Sequence, residues 1–150
     1  MIEYSFKKFD DLSLKELYGL MKLRQEVFVV EQNCPYLDAD DKDLYGYHVM
    51  GKDHNGCIVC CTRLLPEGVS YDGFISIGRV TNGLSVRGKG EGKKLMNFSI
   101  DTIKKLYPNK PIKIGAQTYL KRFYENLGFV DLNQPYLEDG IPHIIMVMEV

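Results

Sequence analysis

One stretch restricts the folds open to this chain more than any other: Ser85-Val86-Arg87-Gly88-Lys89-Gly90-Glu91-Gly92-Lys93-Lys94-Leu95. Before it, the apolar run Phe74-Ile75-Ser76-Ile77-Gly78-Arg79-Val80 reads as a strand. After it, Met96, Ile100, Ile103 and Tyr107 recur at helical spacing until Pro108 stops the pattern. Three glycines therefore fall where a strand feeds the first turn of a helix. That turn carries N–H groups with no partner inside the helix, and the positive end of the helix dipole, so anions settle there. Glycine lets the backbone approach an anion closely because no Cβ intervenes. Arg87, Lys89 and Lys93 add formal charge. The stretch reads as a pyrophosphate cradle.

Three kinds of phosphate loop compete for it. A Walker A loop reads Gly-x-x-x-x-Gly-Lys-Ser/Thr, and Gly83 to Lys89 satisfies all but the last position, where Gly90 offers no hydroxyl for Mg²⁺. A dinucleotide fingerprint reads Gly-x-Gly-x-x-Gly, whereas the spacing here is Gly88-x-Gly90-x-Gly92, with no acidic residue ending a second strand about 20 residues on. The third pattern, Gln/Arg-x-x-Gly-x-Gly/Ala, is met by Arg87-x-x-Gly90-x-Gly92.

That third match resembles the coenzyme A pyrophosphate loop of the GNAT superfamily of acyltransferases. A second segment supports it. Tyr119-Leu120-Lys121-Arg122-Phe123-Tyr124-Glu125-Asn126-Leu127-Gly128-Phe129 resembles the GNAT element Tyr-x-x-x-Gly-Phe, and it follows the apolar alternation Ile112-Lys113-Ile114-Gly115-Ala116. Leu23 to Gln32, the run Tyr36-Leu37-Asp38-x-Asp40, Gly78-Arg79-Val80 and Leu137 to His143 extend the likeness over nearly the whole chain, toward the ElaA-like branch.

Elsewhere the chain is read from its own pattern. Ile2 to Phe9 alternates as a strand. Ser13-Leu14-Lys15-Glu16 is a capping box opening a helix whose apolar face runs from Leu14 to Phe28. Glu31 to Asp43 reads as a loop in which Asp38, Asp40, Asp41 and Asp43 form a solvated acidic surface, or else a rim attractive to an amine. Lys42 stands where a calcium loop needs its third ligand. Tyr45 to Lys52 and Gly56 to Leu65 pair through an Asn-Gly turn. Phe129 to Leu132 and His143 to Val150 read as the last strands, separated by the polar segment Asn133 to Pro142. The order βαβββαβαββ predicts an α/β (α+β) domain with a mixed sheet flanked by helices, the GNAT-like arrangement, in one domain of 150 residues.

A net charge of -1 argues against a general nucleic-acid binder. No signal peptide and no apolar run of about 20 residues is visible, so cytoplasm is the expected location and no membrane partner is expected. Alternation along Gly56 to Thr62 sends Cys57 and Cys60 to opposite faces, which disfavours a redox pair or a shared metal. Buried thiols and no metal are the expectation.

The resemblance implies acetyl-CoA as co-substrate, with the acetyl group passing directly to an amine in a ternary complex. It places cofactor contacts at Arg79, Val80 and Thr81 of the strand, at Arg87, Gly88, Lys89, Gly90, Glu91, Gly92 and Lys93 of the loop, and at Gln117, where many relatives carry asparagine. Tyr124 matches the tyrosine that protonates the departing thiolate; read as a residue alone, it is an aromatic on an apolar helix face. Arg24, Glu31 and His143 are candidates for the acceptor side. Glu26, Glu31, His48 and His143 are all eligible as the base, and the sequence selects none. The acceptor is a small-molecule or peptide amine, and a homodimer is left open. A non-catalytic coenzyme A binding module and a nucleotide triphosphate binder are the alternatives.

Overall fold

A computed structural model describes residues 1–150. The elements follow the expected order: β1 (Glu3–Lys8), α1 (Leu14–Arg24), β2 (Tyr47–Lys52), β3 (Ile58–Leu65), β4 (Ser76–Asn82), α2 (Glu91–Leu106), β5 (Ile112–Gln117), α3 (Lys121–Asn126), β6 (Val130–Glu138) and β7 (Ile141–Met148). Strands β1-β2-β3-β4 form one antiparallel sheet, and β5-β7-β6 form another.

Alternation along the central strands puts a core on each face. Val49 and Cys60 point toward α2, where Leu95, Met96 and Ile103 are fully buried. Their neighbours Met50 and Cys61 point the other way, onto Leu20, Leu23 and Val27. The predicted capping box is present: Ser13 Oγ accepts from the Glu16 amide, and Glu16 Oε1 accepts from the Ser13 amide, each at 3.0 Å. The apolar helical face does continue past Arg24, but as a π-helix over Gln25–Glu31. Such wide turns rotate the side chains that follow; here Val27, Phe28 and Glu31 face a cleft. No helix is long and apolar enough to cross a membrane.

One expectation fails. Asn133 to Pro142 is not a loop: β6 runs through Glu138, and a two-residue turn at Asp139 and Gly140, φ 50° and 79°, returns the chain into β7. Strand β6 is an edge strand exposed along most of its length, so it lacks the alternation that marks a half-buried strand. Pro135 lies where the register shifts, a position at which a sheet tolerates the missing N–H.

Candidate active site

The two sheets touch through a single parallel bridge, Ile75 opposite Ile112, with the Ile75 amide donating to Pro111 O at 3.1 Å and the Lys113 amide donating to Ile75 O at 2.9 Å. Past that point β4 and β5 diverge, and their facing backbone edges bound a cleft of about 530 Å³. Three residues of β3, Cys61 to Arg63, span four of β4, Thr81 back to Gly78, so β4 bulges beside the cleft. The bulge places Arg79 at φ 48°, a left-handed conformation that costs a non-glycine residue about 1 kcal/mol or more. Its guanidinium is held by Asp38 at 2.8 Å and Asp40 at 3.2 Å.

At the end of β4 the chain passes through one 3₁₀ turn, Leu84–Val86, and reaches the glycine-rich loop. Gly88 and Gly90 sit at φ 75° and 77°, with open space where a Cβ would stand. Gly90 is the N-cap of α2 and supplies no capping side chain. The amides of Gly88, Lys89 and Gly90 donate to no protein acceptor, and those of the first helical turn have none inside the helix. This cradle fits a diphosphate.

Tyr124 is 5% exposed, and its ring packs edge-on against Phe123 and Phe129 with centroids 5.1 and 6.0 Å away. It lines the cleft together with Gln117 and Gly92. Burial, then the nearby Tyr119, pushes the phenol above its ordinary range, so it is protonated at neutral pH. At the far end His143 of β7 lies among Tyr136, Glu138 and Gln117.

Residues 42–150 match the acetyltransferase (GNAT) domain. Protein ElaA of Escherichia coli (strain K12) is 41% identical over 152 residues, an alignment spanning 100% of this chain and 98% of ElaA. The chain belongs to the GNAT acetyltransferase family. The crystal structure of E. coli ElaA superposes with a TM-score of 0.92 at 40% identity, covering 99% of this chain and all of that one. An acyl-CoA N-acyltransferase from Pseudomonas aeruginosa superposes at 0.93, also at 40% identity and covering 99% of each chain. Acyl transfer is the general chemistry this GNAT membership supports.

Within the GNAT frame several anticipated residues need reassignment. Arg24 does not line the cleft. It is 1% exposed, with Nε 2.7 Å from Asp38 and Nη1 2.8 Å from Asp43, and these pairs hold it cationic despite burial. Most of the acidic run is not a solvated surface: Asp38, Asp40 and Asp43 neutralise Arg24, Arg63 and Arg79, leaving Asp41 exposed and Asp40 at the cleft wall. Thr81 is fully buried with its hydroxyl on Arg79 O at 2.8 Å, and its neighbours Val80 and Asn82 line the cleft instead. The Arg87 amide is used by Leu84 O, and its side chain grips Glu31, with Nη2 2.8 Å from Oε1. Glu31 is thereby brought to the loop rather than left free for an acceptor. Glu91 turns its carboxylate away from the cradle to accept from Tyr4 Oη at 2.6 Å. Lys89 Nζ donates to Ser85 O at 3.0 Å, and Lys93 is exposed.

Two candidate bases drop out. Glu26 is exposed outside the cleft. His48 is buried, donating Nε2–H to Asp43 O at 2.9 Å, and burial drives its pKa down. Cys57 is exposed and precedes β3, while burial pushes the thiols of Cys60 and Cys61 up to about 11 and 12. No group of three or more His, Cys, Asp or Glu is arranged to hold a metal. Asn82 is a cleft residue that sequence reasoning missed; its Oδ1 is buried without a partner, and it lies two residues past the strand end read at Val80. Tyr136 and Glu138 carry no signal in the sequence, because the second half of β6, from Asn133, reads as part of the polar segment between the last strands.

Proposed function

We propose that the protein is an acetyl-CoA-dependent N-acyltransferase acting on a small-molecule or peptide amine in a ternary complex. One observation carries the reading: the unpartnered amides at Gly88 to Gly90 lie between Arg87 and Gly92, which line the same cleft as Tyr124. Acetyl-CoA supplies an acyl group already activated as a thioester. The amides from Gly88 to Lys93 would hold its diphosphate, with Lys93 and Lys89 adding charge. At the bulge, Gly78 to Val80 of β4 have no strand paired on the β5 side, an edge suited to an extended amide-bearing chain and to a developing oxyanion. Asn82, with an unpaired buried Oδ1, adds a polar contact beside Gly92.

Attack of an amine on the thioester carbon forms a C–N bond and breaks a C–S bond, whose electron pair stays on sulfur. Nitrogen is left with one proton too many and sulfur with one too few. The Tyr124 phenol, protonated and at the cleft wall, donates its proton to sulfur, and the surplus proton on nitrogen passes through cleft water, which restores the phenol, so that the products are a neutral amide and a free thiol.

Two assays test this. Coenzyme A or acetyl-CoA raises the melting temperature while Mg-ATP does not, and thiol is released from acetyl-CoA only when a suitable member of an amine panel is present. Stabilisation without thiol release for any amine would leave a binding module and refute the enzyme. Stabilisation by Mg-ATP alone would refute the cofactor.

A further inference from the structure

Four lysines and arginines line the cleft, and three of them are already ion-paired. Arg63 and Arg79 are held by Asp38, Asp40 and Asp43, and Arg87 by Glu31. Lys42 is the exception. Its Nζ has no carboxylate partner and donates instead to Ser70 Oγ at 3.0 Å, and Ser70 also lines the cleft. A hydroxyl that accepts from an ammonium still has its own proton to donate, and the ammonium keeps two more. Lys42 and Ser70 thus form a two-donor site with one unbalanced positive charge, an arrangement that a carboxylate satisfies. We propose that the acceptor amine also carries a carboxylate, which Lys42 and Ser70 hold while the nitrogen is acylated.

The topology puts this pair on the acceptor side. The diphosphate cradle follows the last residue of β4, Asn82, whereas Ser70 belongs to the connection that enters β4 at Ser76. Between those ends lies the bulge at Arg79, where the thioester carbonyl is expected. Three residues past the Ile75–Ile112 bridge in each strand, Gly115 stands level with Gly78, where the bulge begins. Tyr71, next to Ser70, brings its hydroxyl to 3.5 Å from the point a Gly115 Cβ would occupy, and the Tyr136 hydroxyl takes that point itself. Both phenols line the cleft at that level. Lys42 is fixed by its own amide, which donates to Asp40 Oδ1 at 3.1 Å, and Asp40 in turn holds Arg63 and Arg79. Two cleft carboxylates, Glu138 and Asp139 of the β6–β7 hairpin, pair with no lysine or arginine; both are exposed, and Glu138 approaches only His143 Nε2, at 3.3 Å. Charge of each sign is therefore left over, negative on the hairpin and positive at Lys42. A diamine would leave Lys42 unmatched, and a phosphate of about two negative charges would exceed its one cation. An aminocarboxylate matches both signs.

This subsite rests on the amine-acylation reading, and matched acceptors separate the two. Aminocarboxylates of increasing chain length are compared with the carboxamide, the diamine and the phosphate of each skeleton, by thiol release from acetyl-CoA. The wild type should favour the best carboxylate over its carboxamide about 30-fold in kcat/KM, chiefly through KM, as hydrogen bonds to a charged group allow. Lys42 is half-buried and its side chain bonds only to Ser70, so Lys42→Met does not threaten folding. In that variant the preference should fall to within about threefold, and Lys42→Arg, which keeps the charge, should restore part of it. Ser70→Ala should lower it by about threefold to tenfold, the loss of one hydrogen bond. Equal use of carboxylate and carboxamide by the wild type, a preference for the diamine or the phosphate, or a carboxylate preference that survives Lys42→Met would each overturn the subsite while leaving acyl transfer intact. Wild-type protein that binds coenzyme A but acylates no amine would overturn the parent reading, and Lys42 would lose its role with it.

Discussion

At the scale of single residues, Gly90 and Tyr124 separate binding from chemistry. Gly90 holds φ 77° with nothing within 4 Å of the missing Cβ. Aspartate tolerates that backbone conformation better than most residues, so Gly90→Asp should fold, with a melting temperature within a few degrees of wild type. Its carboxylate would stand among the free amides, and coenzyme A affinity should fall about 10²-fold or more in a calorimetric titration. Tyr124→Phe keeps the ring packed on Phe123 and Phe129 and removes only the hydroxyl. A drop in kcat of about 10²-fold with little change in KM is expected from steady-state kinetics where chemistry limits the rate. Unchanged kcat would make Tyr124 a core residue. Its sequence environment, an apolar helix face, could not distinguish these; only the match to Tyr-x-x-x-Gly-Phe did.

At the scale of elements, the loop between the π-helix and β2 is held by charge. Arg24, 1% exposed, is shared by Asp38 and Asp43, while Arg63 and Arg79 share Asp40. Removing one partner of such a network strands the others in a poorly solvated place. Arg24→Met should cost about 3–5 kcal/mol in urea unfolding, far beyond a surface substitution. Burial pushes Asp40 and Asp43 up, but Arg63 and Arg24 outweigh it and leave both pKa values below the ordinary carboxylate range. A carboxyl depressed in the folded state stabilises fully above its unfolded pKa of about 3.9, and that stability is lost as the pH falls below it. Thermal unfolding from pH 6 down to pH 3 should therefore show a steeper loss in wild type than in Asp40→Asn. The sequence could not reveal this network. Four aspartates close together look like a solvated run until three arginines, spread from position 24 to 79, are brought against Asp38, Asp40 and Asp43. Elements with a local signature were legible: the Ser13 capping box, the Asn-Gly hairpin and the strand-loop-helix around Gly90. Strand β6, with its signature erased by exposure and Pro135, was not.

At the scale of the whole molecule, the fold works by failing to close. Seven strands in register would make one continuous surface, but the two sheets share only the Ile75–Ile112 bridge, and the opening beyond it leads from the glycine-rich loop to the β6–β7 hairpin. The order of elements implied a mixed sheet, whereas the splay and the bulge at Arg79 came from register that no local pattern encodes. The central claim is that a diphosphate seats on the backbone amides of this loop. Titrating ¹⁵N-labelled protein with coenzyme A and following the amide resonances tests it directly. Large shifts at Gly88, Lys89, Gly90 and Gly92, absent in Gly90→Asp, are predicted. Saturable binding that leaves those four resonances unmoved would contradict it.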